Sequence, residues 1–499
     1  MSLLAWLTTG ATVALGILAV HLSGTRRDES QTPEGFLLAN RQLSTSSVAN
    51  LLLSSSFGVN ALFYNGWLGY QMGLWALLIQ MTWAGSFLLL ARFGDRFDGI
   101  VSLHDFLGRC YGRNTQLVGA ICSIVGITYF VGWELSIGRS AVEAMVLGFS
   151  EADQDGAALV AGGVTLGVVV LATTYTLRGG IRGNGEVNKL FNLLKIALAA
   201  VIAGIGLVSV VRVGAVDALL PAGSVVIAGF GIWGLATNVL FNLSWQFVDN
   251  SSWQSAIAGA EGGGAGSDRP VVSEAEGRNA VARNLRISGL SVFLTIGVLG
   301  TLLGAVLRLR EGVTDAEFFG SLIEQMGVAA PVIAVGFALI VIASMMSLVD
   351  GMLLAVALTV VADLIPEGRL APGLRLVIAK WSLVVVALIA GWGISALVEA
   401  LGGNLFDFVY IVVVSQLALI GPVLTGLLRR GVRTQRPMWL AMAAGLVSGF
   451  GAVIIGSRQG TSWLVDGAGT IAIIASLVVA WLIVISTDLR QVGPTPVVE

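Results

Sequence analysis

The sequence predicts an all-α polytopic membrane protein of about thirteen transmembrane helices, arranged as two successive five-helix blocks of opposite orientation with one broken helix in each. Three observations predict it. Of the 499 residues, 56% are hydrophobic and 12% charged, against about 45–50% and about 25% in an ordinary soluble domain. Thirteen apolar stretches are long enough to span a bilayer. Two of these, five spans apart, are polar in their middles.

A hydrocarbon core of roughly 30 Å needs about 20 apolar residues in a helix. Such stretches run at 3–22, 45–69, 71–91, 116–147, 157–177, 187–211, 226–248, 287–307, 329–364, 375–399, 404–428, 437–456 and 468–486. The first reads as a retained helix, because no Lys or Arg precedes it and no small-x-small cleavage site closes it. Residues 1–44 then form an N-terminal extra helix and loop, 45–212 the first five-helix repeat, 213–428 the second, and 429–499 two peripheral helices.

Alternate loops differ sharply in basic charge. One set, from Arg26, Arg27 and Arg41 through to Arg490, holds 22 of the 28 basic residues; the other holds Arg212, Arg308, Arg310 and Arg458, with Arg139 and Lys195 inside spans. The positive-inside rule places the N-terminus outside and the C-terminus in the cytoplasm, in a cytoplasmic membrane. The connection over 250–285, with Gly262-Gly263-Gly264-Ala265-Gly266-Ser267, reads as a flexible cytoplasmic loop. Residues Val101 to Leu107 read as a short interfacial helix capped by Ser102, with His104 structural. Gly163-x-x-x-Gly167 is the kind of small-residue pair that lets membrane helices pack closely.

Composition removes several function classes. The 28 basic and 30 acidic residues nearly cancel, so bulk charge favours no nucleic-acid partner. Two cysteines, Cys110 and Cys122, and two histidines, His21 and His104, are too few for a disulfide framework, a haem, a zinc cluster or an iron–sulfur centre. No Gly-x-x-x-x-Gly-Lys loop, His-Glu-x-x-His motif or Gly-x-Ser-x-Gly elbow occurs, so neither an ATP-driven pump nor those hydrolases are indicated. No enzyme activity and no cofactor is expected, and the composition says nothing about oligomeric state.

The polar middles are Ser54 to Gly66, with Asn60, Tyr64 and Asn65, and Asn238 to Asn250, with Asn242, Trp245, Gln246 and Asp249. Such segments suit broken helices whose unwound backbone binds solute and ions near the midplane. The alternative is helix packing through small and amide side chains. Glu134 and Arg139 lie in the fourth span about 1.5 turns apart and so face differently; burying either unpaired would cost several kcal/mol. Glu134, beside Trp133, is either a solute or proton contact or one member of an ion pair with a neighbouring helix.

At this point the chain resembles the sodium/solute symporters. Phe36 to Leu43 (Phe-Leu-Leu-Ala-Asn-Arg-Gln-Leu) is similar to that family's segment before the first core helix, and Tyr175-Thr176-Leu177-Arg178-Gly179-Gly180 to its fourth-to-fifth core-helix turn. Asp249-Asn250-x-x-x-Gln254, with Ser273-Glu274-Ala275 later, resembles the region after the broken sixth core helix. Ala343 to Asp350 resembles the eighth core helix, and Phe406-Asp407 with Gly421-Pro422-Val423-Leu424 the tenth. The five motifs occur in order over residues 36 to about 450. The resemblance implies an inverted-repeat fold of the LeuT type and a secondary transporter that moves a small polar organic solute by alternating access. A membrane solute sensor with a transporter-like core is the alternative.

The resemblance also implies a solute pocket with Asn60, Ala61 and Tyr64 at the first break, Gln80 where sugar-transporting relatives carry a glutamate, and Asp249 or Asn250 at the second break. Trp133, Glu134, Asn242 and Trp245 complete the candidate set. In the resembled family the main sodium ion is held by backbone carbonyls at the first break and two adjacent hydroxyls on the eighth core helix. The matching carbonyls here are those of Ser54, Phe57 and Ser344, and the first hydroxyl is Ser347; the second position is Leu348, which supplies no oxygen. Asn188 stands where the family often has an aspartate. Sodium binding should therefore be weakened, leaving proton coupling, exchange or facilitation.

Asn188, Asn192 and Lys195 fall on one helix face. Helical side chains lean toward the N-terminus, so the Lys195 ammonium should reach the ion-binding level and replace sodium, with Asp350 as its counter-charge. The alternative is that Lys195 snorkels to the cytoplasmic interface.

Overall fold

The computed structural model describes residues 3–24, 30–149, 154–261, 274–310, 312–314, 318–325, 330–366, 368–394, 409–429 and 437–491. Phe406-Asp407, the run Gly262 to Ser267, Ser273, and Arg430, Arg433 and Arg436 lie outside them. Among the described residues every regular element is helical.

Among the described residues thirteen membrane-length segments follow one another, as the apolar stretches predict. Ten helices pass on length and hydropathy alone, two of which are double: Val59–Ala91 turns at Gly73 and Gln154–Arg212 at Gly180. The seventh span, Gly223–Val248 continued by Asn250–Ala258, completes the set. The remaining spans are Leu3–Gly24, Arg113–Phe149, Glu274–Val292 with Val298–Leu307, Ala330–Leu358, Pro372–Leu388, Val409–Leu417 with Ile420–Leu428, Trp439–Gln459 and Ala468–Gln491. The second span is Thr45–Ser56 with Val59–Met72.

Two interruptions fall inside the predicted polar middles, and the seventh span has a further one ahead of its polar middle, at Gly231 (φ 71°, ψ 157°). Between Ser56 and Val59 the backbone leaves the helix at Phe57 (φ −113°, ψ 56°) and Gly58 (φ −83°, ψ 174°). In the seventh span it leaves at Asp249 (φ −78°, ψ 102°). The two half-helix N-termini that result are buried rather than solvated, so their N–H groups need acceptors within the protein.

Gly180 makes the turn between the fifth and sixth spans, with φ of +57°. A Cβ there would lie 2.5 Å from the Phe36 carbonyl oxygen, so both the left-handed backbone and the space demand glycine. This packs the segment before the first core helix beneath the turn. The small-residue pair at 163 and 167 behaves differently from expectation: Gly163 meets nothing within 4 Å, while Gly167 faces Thr12 of the first span. The closest crossing lies elsewhere, where a Cβ on Gly304 would sit on the Gly66 carbonyl.

Residues 250–258 correct the reading of 250–285 as one flexible loop. They form a buried helix in which Trp253 stacks on Phe97 (ring centroids 4.5 Å apart) and Phe106 (5.4 Å). The helix is too polar to register as a span, yet its polar groups are bonded within the protein. Residues 274–292 are likewise helical and lead directly into the eighth span.

The short helix Leu103–Tyr111 is capped by Ser102, whose hydroxyl accepts from the Asp105 N–H. His104 is structural, as expected. Its Nδ1 lies 3.0 Å from an Asp363 carboxylate oxygen and its Nε2 2.8 Å from the Ser123 hydroxyl, all fully buried. Ser102 (2.7 Å) and Gln116 (3.1 Å) donate to the other Asp363 oxygen. One carboxylate thus ties the short helix, the fourth span and the end of the ninth span together at the arginine-rich face.

Candidate solute and ion sites

The first break is held from two sides. On one side the Glu134 carboxylate accepts the backbone N–H groups of Val59 (2.6 Å) and Asn60 (2.9 Å). It therefore sits on the N-terminus of the second half-helix, where helix partial charge favours an anion. Glu134 is fully buried and forms no ion pair; Arg139 is exposed. The carboxylate's partners are main-chain donors, so the ion-pair reading does not describe the contact found.

On the other side Lys195 reaches in from the sixth span. Its Nζ donates to the Phe57 carbonyl (3.1 Å) and to the Ser347 hydroxyl (2.9 Å), and lies 4.9 Å from the Phe57 ring centroid. The side chain has no exposed surface, which excludes the snorkelling alternative. Ser347 in turn donates to the Ser344 carbonyl (3.2 Å). Two of the oxygens assigned to an ion site, those of Phe57 and Ser347, thus bind an ammonium, and the third, of Ser344, supports Ser347. The Ser54 carbonyl is occupied differently, accepting the Phe57 N–H (3.3 Å).

Leu348 fills the remaining space. A Cβ on Gly58 would lie 2.4 Å from Leu348 Cδ1 and 2.8 Å from a Glu134 oxygen, so a side chain there would press on both the ninth span and Glu134. Asn192 accepts from the Ser54 hydroxyl (3.0 Å) and donates to the Asn50 carbonyl (2.9 Å), which fixes the helix leading into the break.

Asp350 is not bonded to Lys195, contrary to expectation. It accepts the Tyr175 hydroxyl (2.8 Å) and the Asn188 amide (3.4 Å), and no ion pair joins it to the lysine. Spacing along one helix predicted the right neighbourhood but not that Tyr175, on the fifth span, would reach the carboxylate first.

At the second break the two candidate residues serve the backbone. Asp249 caps the helix it begins, accepting the Ser251 N–H (3.0 Å), the Ser251 hydroxyl (2.8 Å) and the Ser252 hydroxyl (2.6 Å). The Asn250 amide donates to the Ala355 carbonyl (3.2 Å) and Thr359 (2.9 Å), while its oxygen accepts the Leu103 N–H (3.4 Å). Neither side chain lines the cavity, because capping and cross-bracing use their polar atoms.

The cavity lies on the other side of the first break. It has a volume of about 210 Å³, and its wall includes Asn60, Ala61, Tyr64, Trp133 and Trp245 from the candidate set. Gln80, Asn242 and Glu134 stand behind that wall. Asn242 accepts the Tyr64 hydroxyl (3.2 Å) and donates to the Ile79 carbonyl (3.0 Å), so it orients Tyr64 instead of facing the space. The sequence reading missed Trp83, Phe130, Phe241 and Asn238, which also line it. Asn238 accepts the Tyr64 hydroxyl at 2.8 Å. Asn238 lay within the polar middle and was the one with a visible signal; the aromatic residues look like ordinary span residues.

A bundle with two broken helices, one in each five-helix block, and a cavity beside the breaks is the LeuT-type inverted-repeat fold. Solved structures with this arrangement align over nearly the whole chain. A Na+-coupled sialic acid symporter in a substrate-bound outward-open state matches with a TM-score of 0.71 at 12% identity, covering 95% of this chain and 97% of its own. Mhp1, a nucleobase-cation-symport-1 family transporter, matches in a closed, bromovinylhydantoin-bound form with a TM-score of 0.58 at 14% identity, covering 92% and 96%. Its inward-facing form matches with a TM-score of 0.53. No family model matches the sequence, and no curated protein does. At these identities the likeness establishes the fold.

Proposed function

We propose that this protein is a secondary transporter that carries a small polar organic solute across the cytoplasmic membrane by alternating access, without requiring sodium. The N-terminus is outside and the C-terminus in the cytoplasm, following the arginine distribution. Solute binds in the 210 Å³ cavity walled by the second, third, fourth, seventh and eleventh spans and the start of the thirteenth.

The observation that carries the coupling proposal is the Lys195 ammonium bonded to both the Phe57 carbonyl and the Ser347 hydroxyl. A coupling cation would join the first core helix to the eighth at this place. Here a covalently attached cation makes that connection, and Leu348 takes the position of a second hydroxyl. A sodium ion would have to displace a buried charge of the same sign. The neighbours' own names support a transporter: one is a Na+-coupled symporter and the other belongs to a cation-symport family.

Counterflow in proteoliposomes tests the carrier reading. A labelled solute that raises the protein's apparent stability should accumulate transiently in vesicles preloaded with the unlabelled compound. Binding without any counterflow would instead identify a solute sensor.

A further inference from the structure

Six aromatic rings from four spans form a continuous chain along the cavity wall. Trp83 lies 6.2 Å from Tyr64, Tyr64 6.1 Å from Phe241, Phe241 5.3 Å from Trp245, Trp245 5.7 Å from Phe130, and Phe130 6.0 Å from Trp133, between ring centroids. All six line the cavity, and among the described residues no Lys or Arg does. The one charged residue among the described residues of the wall is Asp466, which is exposed and accepts the Tyr410 hydroxyl at 3.1 Å. Aromatic faces carry negative electrostatic potential, and an aromatic enclosure is how a desolvated ammonium is bound.

The position that would receive an anion is taken. The half-helix N-terminus at Val59 and Asn60 is a ready anion site, but the Glu134 carboxylate occupies both N–H groups. The nearest basic side chain at the break, Lys195, gives its protons to Phe57 and Ser347. The donors left without a protein partner in the wall are neutral: Asn60 Nδ2, Trp83 Nε1, Trp133 Nε1 and the hydroxyls of Thr237 and Thr470. These suit a hydroxyl or carbonyl oxygen.

We propose that the cavity selects an organic cation, an amine or quaternary ammonium group on a small body bearing a hydroxyl or carbonyl oxygen. The assignment rests on reading this cavity as the solute site. The ammonium sits against the ring chain, the oxygen accepts from the neutral donors, and Asp466 draws cations to the mouth.

The test uses matched probes on the full-length purified protein: choline, its neutral carbon isostere 3,3-dimethylbutan-1-ol, its carboxylated analogue glycine betaine, and the primary amine ethanolamine. Thermal-shift titrations are expected to show choline or ethanolamine binding at least about tenfold more tightly than the neutral isostere, the scale of a desolvated cation–π contact. Trp133→Leu should reduce that preference and Trp133→Phe should retain it. If Trp133→Leu fails to fold, the comparison of probes on the unaltered protein decides alone. Equal binding of choline and its isostere, tighter binding of glycine betaine, or no response to either cation overturns the assignment. Cation binding without counterflow would remove the carrier reading and leave the cation assignment intact. Counterflow of a neutral or anionic solute with no response to the cations would do the reverse.

Discussion

Replacing Lys195 should convert a sodium-indifferent protein into one whose stability responds to sodium. Lys195→Ala removes two hydrogen bonds from a charged, fully buried donor, to Phe57 and Ser347. Each is worth about 1.5–3 kcal/mol, so the loss is about 3–6 kcal/mol, a large part of an ordinary domain's stability of about 5–15 kcal/mol. The Phe57 carbonyl and Ser347 hydroxyl are then left facing a gap. Adding Leu348→Ser supplies another hydroxyl beside them. For this double variant, sodium at about 100 times its dissociation constant should restore about 2.7 kcal/mol. The assay is thermal unfolding in detergent in sodium chloride against potassium chloride at equal ionic strength. The original protein should unfold at the same temperature in both salts, and the double variant at a higher temperature in sodium. Saturable stabilisation of the original protein by sodium would refute the reasoning.

Other substitutions probe the same supports. Gly58→Ala places a Cβ 2.4 Å from Leu348 and 2.8 Å from Glu134; it should cost about 1–3 kcal/mol by denaturant unfolding and reduce counterflow. Glu134→Gln keeps one acceptor for the two N–H groups of Val59 and Asn60. It should destabilise by about 1.5–3 kcal/mol, with little loss for a Glu134→Asp control only if the shorter chain still reaches both, as read by counterflow. Asp363→Ala strands the donors Ser102, Gln116 and His104; unfolding should ease by about 3–5 kcal/mol, with no change in the solute preference of the folded fraction. Burial pushes the Cys110 thiol up to about 11, outweighing the pull of Arg96. Its alkylation by a maleimide should accordingly be slow at neutral pH and accelerate as pH rises toward that value.

The spans and both breaks could be read from the residues because the membrane makes them conspicuous. Polar side chains such as Asn60 and Asn242 in the middle of a span have to be bonded by protein or line a cavity, and the interruptions at Phe57–Gly58 and Asp249 lie within the segments so marked, while the one at Gly231 does not. Lys195 was placed correctly by helical periodicity and by the lean of helical side chains. The facing of other polar residues was not readable in this way. Asp249 looks like a solute ligand until its own Ser251 and Ser252 bind it, and Asn250 until the ninth span does. Helix 250–258 escaped notice because its sequence is polar, and what buries it, Phe97 and Phe106, comes from distant parts of the chain. Trp83, Phe130 and Phe241 carry no mark in the sequence that separates a cavity wall from ordinary packing.

The most direct measurement compares initial uptake of a bound, labelled solute into proteoliposomes with an inward sodium gradient, with equal sodium on both sides, and with potassium replacing sodium throughout. A carrier whose coupling position is held by Lys195 gives the same initial rate in all three. Uptake that vanishes without sodium and rises saturably with its concentration would contradict that reading.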